Sequence, residues 1–71
     1  MKTIKTIKVS PIYKITFKVP TFTNENVVVI ESGYGNTETI DLATKEFVRG
    51  NVEHKDSIRQ DAIETALNFN N

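Results

Sequence analysis

The stretch Ile12-Tyr13-Lys14-Ile15-Thr16-Phe17-Lys18-Val19 decides the fold class. Tyr13, Ile15, Phe17 and Val19 fall on one side and Lys14, Thr16 and Lys18 on the other. That is the period of two that a half-buried strand requires. Pro20 ends the run, because proline has no N–H to give a strand ladder. Upstream, Lys2-Thr3-Ile4 and Lys5-Thr6-Ile7 echo each other at a spacing of three before Lys8-Val9. Two copies do not make a repeat architecture, and residues 4–9 read as a strand. Ser10-Pro11 interrupts the chain between the two strands.

Downstream, Thr21 to Asn26 is a polar connection whose asparagines suit a turn. Val27-Val28-Val29-Ile30 is continuously apolar, the pattern of a central strand covered on both faces. Val28 and Ile30 share one face, Val27 and Val29 the other. Ser32-Gly33-Tyr34-Gly35-Asn36 reads as a loop or wide hairpin turn, its glycines free to take positive φ. Residues 37–49 admit two readings. A helix would align Ile40, Ala43, Phe47 and Val48, with Gly50 as its C-cap. A hairpin would pair residues 37–42 with residues 46–53 around Ala43-Thr44-Lys45. The threonines at 37 and 39, with Ile40, Phe47, Val48 and Val52, favour the hairpin.

The C-terminal segment is helical in pattern. Ser57 with Gln60 matches a capping box, with Asp56 as the other candidate cap. Ala62 and Ala66 lie mid-stripe, flanked by Ile58 and Phe69 on one side and Ile63 and Leu67 on the other. Small residues at the centre let the helix approach a sheet closely. Asp61, Glu64 and Asn68 belong in water, and the tail from Asn68 to Asn71 is expected to fray. The expected fold is therefore α+β: an antiparallel sheet of four or five strands with one C-terminal helix packed on one face. A ββαα arrangement with residues 37–49 helical is the alternative. Tyr13, Ile15, Phe17, Val28, Ile30, Ile40 and Leu42 are the expected core, and residues 1–71 read as a single small domain.

Seventy-one residues bury only roughly 60% of the unfolded surface, so the core is thin. The chain has no cysteine, which excludes disulfides and thiolate zinc sites and suits the cytoplasm. No apolar run approaches the ~18 residues of a membrane span, and no apolar segment follows the basic start as in a signal peptide. Nine Lys and Arg balance nine Asp and Glu, but the signs are segregated. Residues 1–24 hold Lys2, Lys5, Lys8, Lys14 and Lys18 and no acid; residues 25–71 hold every acid. Such asymmetry points to a charged partner, or to a basic edge strand guarded against unwanted pairing.

Motifs for chemistry are sparse. His54 is the only histidine. As an acid–base group it would be oriented by Glu53 or Asp56; the plainer reading, taken here, is a solvated histidine in a charged connection. No serine sits in a nucleophile elbow, and no carboxylate spacing matches a calcium loop. Gly33-Tyr34-Gly35-Asn36 lacks the lysine and third glycine of a phosphate loop. No catalytic residue, metal site or cofactor is expected.

The sequence points instead to a small non-enzymatic binding module: a protein-interaction, inhibitor or accessory protein of the kind phages and mobile elements encode. The partner-binding candidates are Tyr34, an aromatic at a loop tip, Val27 and Val29, which would be bare if the helix covers the other face, and Lys14 and Lys18. Bare valines would be shielded by a homodimer. No membrane partner is expected. The second functional reading is nucleic-acid binding through the N-terminal lysines. It is weakened by the absence of arginine there, by zero net charge, and by Lys14 and Lys18 lying on the strand face opposite Tyr13 and Phe17.

Overall fold

The computed structural model describes residues 1–70. Five strands, β1 (Lys2–Ser10), β2 (Tyr13–Val19), β3 (Val27–Ser32), β4 (Asn36–Asp41) and β5 (Phe47–Gly50), precede one helix, α1 (Asp56–Asn70). The strands form one antiparallel sheet in the order β1-β2-β3-β4-β5. This is the expected α+β architecture, with five strands. Residues 37–49 form β4, a turn and β5, so the helical alternative for that stretch is excluded.

The period-three echo of β1 has a physical cause. A strict alternation would send Ile4 and Ile7 to opposite faces. The register shifts between Thr3 and Lys5, so that Thr3 pairs with Lys18 and Lys5 with Phe17. The extra residue at this bulge is Ile4, and both Ile4 and Ile7 pack against the core. Pro11 and Ile12 alone join β1 to β2, Ser10 lying opposite Tyr13. Proline's fixed φ suits the first corner of such a turn.

The core lies between one sheet face and the helix. Ile15, Phe17, Val19, Val28, Ile30, Ile40 and Leu42 from the sheet meet Ala62, Ile63 and Ala66 from α1. Of the expected core, Tyr13 is the exception, at 38% exposed. It is the first residue of β2, opposite Ser10 where the β1–β2 ladder ends. Leu67 and Phe69 lie at the margin of the helix stripe and stay partly in water. Phe69 is capped by the Lys2 ammonium, 5.2 Å from its ring centroid. The helix begins two residues earlier than a Ser57 capping box requires, and Asp56 is its first residue rather than its cap. The Lys55 carbonyl accepts from Ile58 N–H and Arg59 N–H, which puts Ser57 inside the first turn and Asp56 where its charge favours the helix dipole. Asn68 to Asn70 are helical and exposed; Asn71, the last residue of the expected fraying tail, lies outside the described residues. No helix among the described residues is long and apolar enough to cross a membrane.

The face away from the helix is buried within the chain itself at its centre. Thr3, Lys18, Val29, Thr39 and Arg49 follow one another across all five strands. Lys18 Nζ reaches Glu31 at 3.1 Å. The Arg49 guanidinium meets Glu25, near the end of the β2–β3 connection, at 2.9 and 3.1 Å. On this face Val27 and Val29 are only 6% and 4% exposed.

The β4–β5 turn is organised by Asp41. Its Oδ1 accepts from Ala43 N–H and Thr44 N–H at 2.8 and 3.0 Å, its carbonyl accepts from Lys45 N–H, and Lys45 takes a left-handed φ of 64°. The Thr44 and Ala43 amides hold the Asp41 carboxyl below its ordinary value of 3.8. A lowered folded-state value gives stability that is present above 3.8 and is lost as pH falls through the folded value. Urea midpoints of the wild type should therefore fall on acidification below that point. In Asp41→Asn, which keeps an acceptor oxygen without the charge, the acid limb should be shallower; identical limbs would contradict this account of the turn.

Candidate functional site

In an antiparallel meander the β1–β2 turn, the β3–β4 turn and the β5–α1 connection all lie at one end. The β2–β3 ladder stops at the pair Ile15–Ser32. Beyond it the two hairpins part, leaving a cleft of about 680 Å³ lined by Ile12, Tyr13, Lys14, Gly33, Tyr34 and Asn36. Ile12 is 92% exposed and Tyr34 101% exposed. A smaller cavity of about 270 Å³ lies on the helix side of Tyr13, between Val9, Ile15, His54, Lys55 and Ile58. Two large apolar side chains thus project from two tight turns that face each other.

The Tyr34 loop is held rather than free. Gly33 and Gly35 flank the tyrosine with φ of 57° and 80°, a conformation costly for other residues. Asn51, just past β5, clamps the hairpin behind them. Its Oδ1 accepts from Thr37 N–H at 2.8 Å, its Nδ2 donates to the Gly35 carbonyl at 3.1 Å, and its own N–H donates to the Thr37 carbonyl at 3.0 Å. Asn51 can reach because Gly50 has no side chain: a Cβ there, at φ 140°, would stand 2.3 Å from the Thr37 carbonyl oxygen.

Beneath the loop lies a buried polar network that the sequence reading missed. Glu38 is fully buried on the helix-facing side of β4. Its Oε1 accepts from His54 N–H at 2.8 Å and lies 2.9 Å from His54 Nδ1. The other ring nitrogen, Nε2, lies 2.8 Å from the Ser32 hydroxyl oxygen. Glu38 Oε2 is 2.7 Å from Arg59 Nε. That contact is an ion pair only, since neither atom makes an aligned hydrogen bond. His54 is therefore not a solvated histidine: its side chain is 8% exposed, and its carboxylate partner is Glu38 rather than Glu53 or Asp56. A signal was present. Glu38 stands two residues before the core residue Ile40 on the same strand face, a charge where an apolar residue is expected.

The order serine, histidine, carboxylate resembles a nucleophilic relay. Ser32, however, is 4% exposed and lines neither the cleft nor the smaller cavity. Its hydroxyl ties the base of the Tyr34 loop to the β5–α1 connection.

Of the sequence-derived candidates, Tyr34 and Lys14 meet at the cleft. Lys18, Val27 and Val29 lie on the sheet face away from the helix. Contrary to the expectation from the sequence, Val27 and Val29 are not bare but buried within the single chain. Lys18 is occupied by Glu31. Ile12 was missed as a candidate, although an isoleucine directly after proline in a two-residue turn has little chance of burial. The chain matches no known protein family, no curated protein and no solved structure.

Removing the carboxylate leaves Arg59 and His54 without their buried partner. Glu38→Ala should cost about 3 to 5 kcal/mol in urea unfolding. The double variant Glu38→Met/Arg59→Met should recover part of that loss, because a well-packed apolar pair replaces a desolvated ionic one. A Glu38→Ala protein as stable as the wild type would show that the network does not hold the end together.

Proposed function

We propose that the chain is a non-enzymatic binding module, an inhibitor or accessory protein of the kind mobile elements encode, that engages a protein partner through its hairpin-tip end. The observation that carries this reading is the pair Ile12 and Tyr34, large apolar side chains almost wholly in water on opposite sides of one cleft. A chain with a thin core gains nothing in stability from leaving them there. Aromatic side chains on rigid loops give contact area at low entropic cost, and the Asn51 clamp supplies the rigidity. The buried position of Ser32 favours a structural role for the Ser32–His54–Glu38 relay over a catalytic one.

A homodimer through the face bearing Val27 and Val29 loses its motive, since those valines are covered within one chain. Nucleic-acid binding through the five front lysines also weakens. Lys5 is paired with Asp61 at 2.9 Å, Lys18 with Glu31 at 3.1 Å, and Lys2 rests on Phe69. The absence of cysteine suits a reducing, cytoplasmic setting.

A photo-crosslinking amino acid at position 34, introduced in living cells, tests the reading. Position 22 is the control, because Phe22 is 95% exposed but sits at the other end of the sheet, in the β2–β3 connection. Discrete protein adducts from position 34 and none from position 22 are expected. No adducts at 34, or the same adducts from both positions, would overturn the proposal.

A further inference from the structure

Lys8 and Lys14 stand directly opposite each other in the β1–β2 ladder. Like charges in that relation repel and destabilise the pairing. Of the five front lysines, these are the two without a partner: among the described residues neither has an acid within ion-pair distance or an aromatic ring beneath it. Lys14 also lines the cleft between the hairpin tips, together with Ile12 and Tyr34. A repulsive pair beside an exposed apolar pair is poor for folding and well suited to a ligand with the complementary charge.

We propose that the hairpin-tip end takes an acidic segment of a partner protein, its carboxylates against Lys8 and Lys14 and an apolar side chain against Ile12 and Tyr34. This rests on the reading of that end as the binding surface and names the partner's chemistry. An acidic protein segment fits better than a nucleic acid on two counts. Two lysines neutralise only two phosphates, few for nucleic-acid affinity at physiological salt. Ile12, the most exposed aliphatic side chain at the cleft, has no ring for a base to stack on, whereas it matches an aliphatic or aromatic side chain.

The probes are short labelled peptides of glutamate and serine around a central phenylalanine, the same peptides with lysine for glutamate, and a short oligothymidine. Fluorescence anisotropy should show the acidic peptide binding, the basic peptide not binding and the oligonucleotide binding more weakly than the acidic peptide. Lys8→Glu is the decisive variant, because it sets opposite charges across the ladder and so keeps the fold. It should raise the urea midpoint while weakening the acidic peptide about tenfold or more. Ile12→Ser/Tyr34→Ser should weaken the same peptide with the fold intact by circular dichroism. Equal binding of acidic and basic peptides, tighter binding of the oligonucleotide, or no effect of Lys8→Glu would overturn the acidic-segment inference. The two readings fail separately. Position-34 adducts that survive Lys8→Glu unchanged would remove the charge chemistry and leave the tip surface standing, whereas absent adducts would remove the surface itself.

Discussion

A single carboxylate sits where the sheet, the helix and the connection between them converge. Glu38 is fully buried, and an ionised group in that position is tolerated only when its charge and its lone pairs are met. His54 meets one oxygen twice, through its backbone N–H and its ring, and Arg59 meets the other at 2.7 Å. The consequence is geometric. The β5–α1 connection is drawn down onto β4, the first turns of the helix are fixed above it, and the remaining ring nitrogen of His54 is aimed at Ser32. Ser32 opens the loop that carries Tyr34. An interior electrostatic requirement thus sets the position of an exposed aromatic side chain.

The same end is stiffened from outside. Asn51 bonds the Tyr34 hairpin at Gly35 and Thr37, and Gly50 leaves the space in which it does so. A rigid loop loses little freedom on meeting a partner, so more of the contact energy appears as affinity. The two exposed residues at the cleft, Ile12 and Tyr34, come from the shortest turns of the molecule, where the chain has the least room to fold them inward.

Much of the fold was legible because β2 and α1 carry clean periods. Tyr13 to Val19 alternates, and Ala62, Ile63 and Ala66 mark a stripe. The β4–β5 hairpin was legible from the β-favouring residues Thr37, Thr39, Ile40, Phe47 and Val48. The bulge at Ile4 was visible only as an unexplained period of three, because register depends on the partner strand and not on the strand itself. The polar network was illegible for a related reason. Ser32, Glu38, His54 and Arg59 are scattered over four elements, and only the sheet register and the descent of the helix bring them together. The burial of Val27 and Val29 within one chain likewise depends on neighbours from other strands, which no local pattern reveals. At the site, Tyr34 and Lys14 were legible as a loop-tip aromatic and a member of the basic front, whereas the lack of a partner for Lys14 and the meeting of both with Ile12 required the structure.

The segregation of charge along the chain resolves into local chemistry. Lys5, Lys18 and Lys2 are engaged within the molecule, and what remains of the basic front is one repulsive pair at the hairpin-tip end. The claim on which the account turns is that the buried carboxylate network and the Asn51 clamp hold the Tyr34 loop in one conformation. Backbone ¹⁵N relaxation at Gly33, Tyr34 and Gly35 tests it most directly. The account predicts order parameters close to those of the flanking strands, about 0.85, and values below about 0.6 at Tyr34 would contradict it.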